Sequence, residues 1–237
     1  MRVYTAPVPV PVTADRVTDA LGTVRDPELD EPVTTLGFVA SCEVSADGVA
    51  EVHLRLPTYF CAPNFAFLMV ADAYDAVSSV RGVSRAVIVL DDHFTAPEIN
   101  AGVAARAGFV GTFGSQAAGE LDTLRADFVR KAVLAGTDRV CRPLRRHGAE
   151  LSALTLGDLP PSPELDRLRE RRQEIGLPAT DDAPLLVDVL TGEPVMGEDV
   201  RLHLGRARLS RVNIEANTSI CRGMLAARYG ATTEESE

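Results

Sequence analysis

Apolar residues at Val17, Ala20, Leu21 and Val24 recur at the three-and-four spacing of one helical face. Thr13 is placed to cap that helix, predicted over 14–24, and the Asp26-Pro27 step ends it because the residue before proline is driven out of the helical region. The period then falls to two. Phe38, Ala40, Cys42 and Val44 alternate with more polar neighbours, Asp47-Gly48 is a hairpin signal, and Val52, Leu54 and Leu56 alternate beyond it until Pro57. Helical spacing returns at Phe65, Leu68, Met69, Ala73, Ala76, Val77 and Val80, closed by Arg81-Gly82, and a last strand is predicted over 83–90. Helix, strand, strand, helix, strand is an order in which two helices can cover one face of a small sheet.

Beyond Asp92 the pattern is helical, with helices predicted over 98–107, 116–135, 138–147 and 164–175. A glycine-rich stretch, Gly108 to Gly114, reads as a flexible turn or interface, because no strand precedes it and no phosphate-loop lysine closes it. Pro160-Pro161-Ser162-Pro163 marks a break, and 185–190 reads as a short strand. In the final helix Val212, Ala216, Ile220, Gly223, Met224 and Ala227 form a seam of small and apolar side chains suited to packing on another helix. The fold class is therefore α+β: a small α-β-β-α-β domain followed by a mostly helical C-terminal region. The boundaries expected are an extended, proline-alternating arm over 1–13, the α/β domain over 14–94, a mainly helical domain over 95–230 and a disordered tail over 231–237.

Composition narrows the function classes. No window approaches eighteen consecutive apolar residues, so no membrane partner is expected. The first residues lack a cationic stretch leading into an apolar one, which reads as no export signal and sets cytoplasmic localisation as the expectation. The net charge of −10 disfavours nucleic acid, whose binding depends on releasing counterions from phosphates. The basic runs Arg139, Arg142, Arg145, Arg146 and Arg167, Arg169, Arg171, Arg172 then read as solvated helix faces or docking points for an acidic partner. Cys42, Cys61, Cys141 and Cys221 form no CxxC and read as reduced thiols.

Among residues able to carry chemistry, Cys61 stands out. It lies in Leu56-Pro57-Thr58-Tyr59-Phe60-Cys61-Ala62-Pro63-Asn64, just before a helix start, where the helix dipole favours a thiolate that could bind metal or attack an electrophile. A small buried hydrophobe between Phe60 and Phe65 is the alternative. Asp26-Pro27-Glu28 offers two carboxylates in the loop after the first helix, for hard-metal ligation, docking or simple turn chemistry. Asp91-Asp92-His93 gathers two carboxylates and an imidazole at a strand end, a weaker metal candidate than a plain polar cluster. His53 falls on the solvent face of its strand, and Cys42 and Cys221 read as core thiols.

DPELDEPVTTLGFV, the hairpin, LPTYFCAP, the following helix and the closing strand together resemble the metal-sulfur cluster biosynthetic family, the iron-sulfur cluster assembly domain of PaaD-like and SufT-like factors, over residues 14–94. The resemblance maps the family's Asp-Pro-Glu turn to Asp26-Pro27-Glu28, its Leu-Gly strand entry to Leu36-Gly37, and its threonine and cysteine to Thr58 and Cys61; here Ala62 stands between Cys61 and Pro63. It implies metal or cluster handling by Cys61, Asp26 and Glu28, with Pro27, Gly37, Thr58 and Pro63 shaping the loops. The cargo would be transient iron or an iron-sulfur cluster, and the role accessory: maturing an apo iron-sulfur client or an iron-dependent oxygenase without a turnover reaction. A homodimer is a further partnership left open. Two other classes stand beside it: a metal-free interaction module of a larger complex, and a thiol enzyme using Cys61 as nucleophile with His93 or His53 as base.

Overall fold

The computed structural model of the chain describes residues 12–144 and 148–230. The tail expected over 231–237 and all but the last two residues of the arm over 1–13 lie outside the described residues, as do Arg145 and Arg146 of the first basic run. The chain divides into two compact units, one made of residues up to Asp26, Glu31–Leu121 and from Cys221 on, the other of Pro27–Asp30 and Asp122–Ile220.

The first unit is α+β. Its sheet has the order β1-β2-β3, from β1 (Val39–Val44), β2 (Val49–Leu54) and β3 (Arg85–Leu90). β1 and β2 pair antiparallel through the Asp47-Gly48 turn, while β2 and β3 pair parallel and so need a crossover. That crossover is the helix α2 (Pro63–Ser78), which turns Phe67, Met69, Val70, Ala73 and Val77 inward. Ala50, Val52 and Leu54 of β2 and Ala86, Ile88 and Leu90 of β3 are buried, the period-two face that the sequence announced. In β1 the register slips by one between Val39 and Ser41, so Ala40 is exposed although simple alternation puts it inside.

Helix α1 (Ala14–Leu21) is capped by Thr13, whose side chain accepts from the Arg16 N–H. It stops three residues before the expected end, because the Thr23 hydroxyl takes the Ala20 carbonyl at 2.7 Å and the chain turns toward the Arg25↔Pro32 bridge. After β3 come α3 (Ala96–Ala104) and α4 (Gly108–Phe113). The glycine-rich segment expected as a turn is thus helical. Gly108 and Gly114, both at positive φ, border it, and the Glu120 carboxylate accepts from the Phe109 and Val110 N–H groups at 3.0 and 3.2 Å, satisfying the donors of the first turn. Phe109 and Phe113, one helical turn apart, both meet Phe67, with ring centroids 5.5 and 6.5 Å away.

The second unit is helical. Where the sequence predicts two helices broken near Gly136, a single α5 (Asp122–Cys141) runs through. Gly136 is where α5 meets the helix α7 (Pro163–Glu174): a Cβ there would stand 3.3 Å from the Leu168 side chain. The short α6 (Gly148–Leu151) and the first part of α8 (Asp199–Tyr229) complete the unit around Val133, Leu151, Leu156, Leu165, Leu168, Leu185 and Leu186. The strand expected over 185–190 does not form. Only the isolated bridges Thr155↔Pro184 and Val187↔Pro194 occur, each ending on a proline that lacks the N–H a ladder requires. Leu185, Leu186 and Val187 are buried in succession, without alternation.

Two further expectations are corrected here. The second basic run is no solvated face: Arg167 and Arg171 grip buried Asp30 at 3.1 and 2.9 Å, and Arg169 pairs with Asp181 at 2.7 Å. Arg172 is fully buried with its terminal nitrogens donating to the Pro178, Pro184 and Leu185 carbonyls, and burial pulls its pKa down to about 10. The seam of the last helix points outward, with Val212, Ala216, Ile220, Gly223, Met224 and Ala227 all exposed, whereas His203, Ala207, Arg211 and Ile214 are buried. Among the described residues no helix is long and apolar enough to cross a membrane.

Candidate functional site

Four residues past the end of β2 the backbone reaches Thr58 and begins the loop that carries Cys61. The Thr58 hydroxyl oxygen accepts from the Phe60 N–H at 3.2 Å and lies 3.3 Å from the Cys61 Sγ. A hydroxyl has one proton and two lone pairs, so here either the O–H or the S–H can donate; with a thiolate only the hydroxyl can, and the contact strengthens. Ala62 is the N-cap of α2 and Pro63 opens its first turn, where a fixed φ and a missing N–H cost nothing. Cys61 is half-buried at the positive end of the helix dipole.

A second loop, between β3 and α3, ties this one down. His93 is buried, its Nε2 donating to the Cys61 carbonyl at 2.7 Å. Its Nδ1 stands 3.3 Å from the Thr95 N–H and 3.1 Å from the Thr95 hydroxyl, and accepts. Both nitrogens are therefore committed in a neutral ring, and burial pushes the pKa down against the opposing pull of the Cys61 carbonyl. The Phe94 N–H adds a bond to the Tyr59 carbonyl at 3.2 Å. Around the thiol loop Tyr59, Phe60 and Phe94 form an aromatic cluster with centroids 5.1 to 6.2 Å apart, and Phe60 is 77% exposed.

The three consecutive side chains Asp91, Asp92 and His93 go three ways. Asp91 meets the His53 Nδ1 at 3.0 Å, while the His53 Nε2 reaches Glu51 at 3.2 Å, and these carboxylates, Asp91 foremost, raise the His53 pKa. Asp92, at a φ of 47°, is held through its carbonyl and carboxylate by Arg228 and through its carboxylate by the Tyr229 hydroxyl. Neither imidazole addresses the sulfur: His93 binds the Cys61 carbonyl and His53 lies between two carboxylates, so the thiol-enzyme alternative lacks its base.

The Asp-Pro-Glu turn is closed by the Asp26 N–H on the Glu31 carbonyl at 3.0 Å, with Asp26 itself buried. In the second unit the Glu28 carboxylate accepts from Asn217 Nδ2 at 3.2 Å. Among the described residues no three of His, Cys, Asp and Glu converge to hold an ion. Gly37 adopts a φ of 75°, a conformation that favours glycine, and a Cβ there would come within 3.3 Å of Leu225. None of the four cysteines forms a disulfide. Burial raises the Cys42 thiol and takes Cys141 up to about 12. Cys42 and Cys221, expected in the core, are half-buried, and Cys141 is the buried thiol. Sequence reasoning did not assign the exposed rings or the Arg228 and Tyr229 grip on Asp92; the adjacent Tyr59-Phe60 pair inside a loop bounded by prolines was the signal for the first.

No solved structure matches this chain. Among curated proteins, an uncharacterized protein of Methanocaldococcus jannaschii is 29% identical to it over 89 residues, covering 38% of this chain and 92% of that one. Residues 14–88, from the start of α1 into β3 with the Cys61 loop between, match the family model described as iron-sulfur cluster assembly protein.

Proposed function

We propose that the chain is an accessory maturation factor: Cys61 receives iron or an iron-sulfur cluster as cargo and passes it to an apo-client, an iron-sulfur protein or an iron-dependent oxygenase. The observation that carries this is the setting of one sulfur, half-buried at a helix start, beside the Thr58 hydroxyl and exposed aromatic rings. Iron in thiolate surroundings takes about four ligands. Cys61 supplies one, and the client or a second copy of the chain supplies the others, which keeps the cargo transient and lets the client's fuller ligand set decide the direction of transfer. Asp26 and Glu28 are the further candidates for handling the cargo, carried by a turn that the Asp26 amide closes; the Glu28 carboxylate also accepts from Asn217. The helical unit would select the client. Four cysteines outside any disulfide fit a reducing compartment, and we place the protein in the cytoplasm.

The test uses anaerobically purified full chain, loaded with cluster and mixed with an apo iron-sulfur acceptor whose uptake is followed by visible circular dichroism. Cys61→Ser is expected to lose cluster retention and transfer while keeping its thermal midpoint, because a loop thiol contributes little packing. Cys42→Ser serves as the control and should transfer normally. A Cys61→Ser protein that still transfers at the wild-type rate would overturn the assignment to Cys61, whereas a wild-type chain that neither retains nor transfers cluster would leave the metal-free interaction module as the reading.

A further inference from the structure

We propose that the first unit carries a second site, a cleft that binds the phosphoryl group of a small-molecule phosphate monoester between Arg55 and Arg222. The cleft lies between the Thr34-to-Val39 entry to the sheet and the last turns of α8, with a volume of about 470 Å³, a size suited to a small ligand. Arg55, Arg222, Thr34, Thr35, Gly37 and Leu225 are among its walls, and among the described residues no carboxylate lines it. In a chain with 34 acidic residues against 24 basic ones, that is a departure needing a reason. Elsewhere in the same unit Arg106 pairs with Asp75 at 3.3 Å and Arg228 with Asp92.

Arg55 is fixed in place before any ligand arrives: its Nε points to the Gly37 carbonyl at 3.4 Å and its guanidinium lies 5.0 Å from the centre of the Tyr229 ring. These contacts leave its two terminal nitrogens, the pair that forks onto an oxyanion, without a partner among the described residues. Arg222 likewise has none among them, and neither do the Thr34 and Thr35 hydroxyls. Two positive charges on one cleft, that of Arg55 held by its own contacts, match a phosphate monoester, which carries close to two negative charges at neutral pH, better than a monocarboxylate. Four donor side chains also suit the three acceptor oxygens of a phosphoryl group. Leu36 and Leu225 give the ester's organic part an apolar wall.

The site is tested by calorimetric titration of the full chain at neutral pH and physiological salt with phenyl phosphate, benzoate and inorganic phosphate. Phenyl phosphate is expected to bind saturably at one site per chain. Arg222→Gln and Arg55→Gln should each weaken it about tenfold or more, the loss of one charge-assisted contact. Arg201→Gln, an exposed arginine of α8 outside the cleft, should bind as wild type does. Benzoate and inorganic phosphate should each be weaker than phenyl phosphate by a similar factor. Absence of saturable binding, or an Arg222→Gln protein that binds as tightly as wild type, would overturn the site. Benzoate binding equally well would overturn the phosphoryl assignment, and inorganic phosphate doing so would overturn the monoester. Arg222 is exposed, so its variant decides the matter even if Arg55→Gln proves to unfold.

Discussion

His93, in the loop after β3, and His53, near the end of β2, take opposite sides of the pH scale, which makes the support of the Cys61 loop measurable. The His93 pKa lies below its ordinary 6.5 because burial disfavours the charged ring. Above about pH 6.5 its bonds to Cys61 and Thr95 contribute in full; as pH falls toward the folded-state value the unfolded chain takes up the proton first, and stability is lost. The His53 pKa is raised by Asp91 and then Glu51, so its contribution is full below about pH 6.5 and fades as pH rises through the folded value. His93→Gln, whose amide can still donate to the Cys61 carbonyl, is expected to flatten the fall in urea midpoint on the acid side. The flattening is partial, because burial also lowers His203. His53→Gln should flatten the profile on the alkaline side only. Urea titrations across the two limbs check both, and a His93→Gln profile that parallels wild type on the acid side would refute the neutral, loop-holding ring. The position of Cys61 before a helix was legible from the change of period and from Pro63. The partners of that loop were not, because the His93 bond spans thirty-two residues and exists only once two loops have been brought together by the β2–β3 pairing.

At the scale of elements, periodic segments that bury one face were read correctly and segments whose glycines serve packing were not. Gly136 reads as a helix break in isolation, yet inside α5 it admits Leu168 of α7, and the Thr137 hydroxyl returns to the Val133 carbonyl at 2.9 Å, so the helix continues. Gly102 of α3 plays the same part toward α4: a Cβ there would stand 1.9 Å from Thr112 Oγ1 and 2.7 Å from its Cβ. Gly102→Ala gains about 1 kcal/mol of helix propensity but overpacks this contact, for a net loss of about 1–2 kcal/mol. Thr112→Gly in the same chain should recover part of it, and the two thermal midpoints measure that coupling. The outward seam of α8 makes a second comparison. Ile220 is 58% exposed and Leu168 only 1%. Ile220→Ser should therefore change stability by no more than about 0.5 kcal/mol, whereas Leu168→Ala should cost about 2–5 kcal/mol. Equal losses in urea unfolding would show that the seam is buried in solution.

Over the whole molecule, the boundary at 94 follows the end of alternation, but the packing of the first unit continues beyond it. Asn100 gives and receives hydrogen bonds with the backbone of Leu90, at 3.2 Å to its carbonyl and 2.8 Å from its N–H, so α3 completes the exposed end of β3. Ile99 and Val103 are buried, and Phe109 and Phe113 lie against Phe67. A strand pattern ends where its period ends, whereas these contacts come from helices whose own pattern says nothing of where they dock. A fragment of residues 14–94 would uncover Phe67 and the Leu90 backbone and lose two buried aliphatic side chains worth about 1.5–3 kcal/mol each, a large part of the roughly 5–15 kcal/mol that holds a domain together. A fragment of residues 12–121 keeps them and is expected to melt cooperatively by circular dichroism, below the full chain because the Arg228 bonds to the Leu56 and Asp92 carbonyls are gone. The shorter fragment should melt broadly or at a clearly lower temperature. Equal midpoints for the two fragments would mean that α3 and α4 add nothing to the α/β core, and the region from 14 to 94 would then stand alone as its own domain.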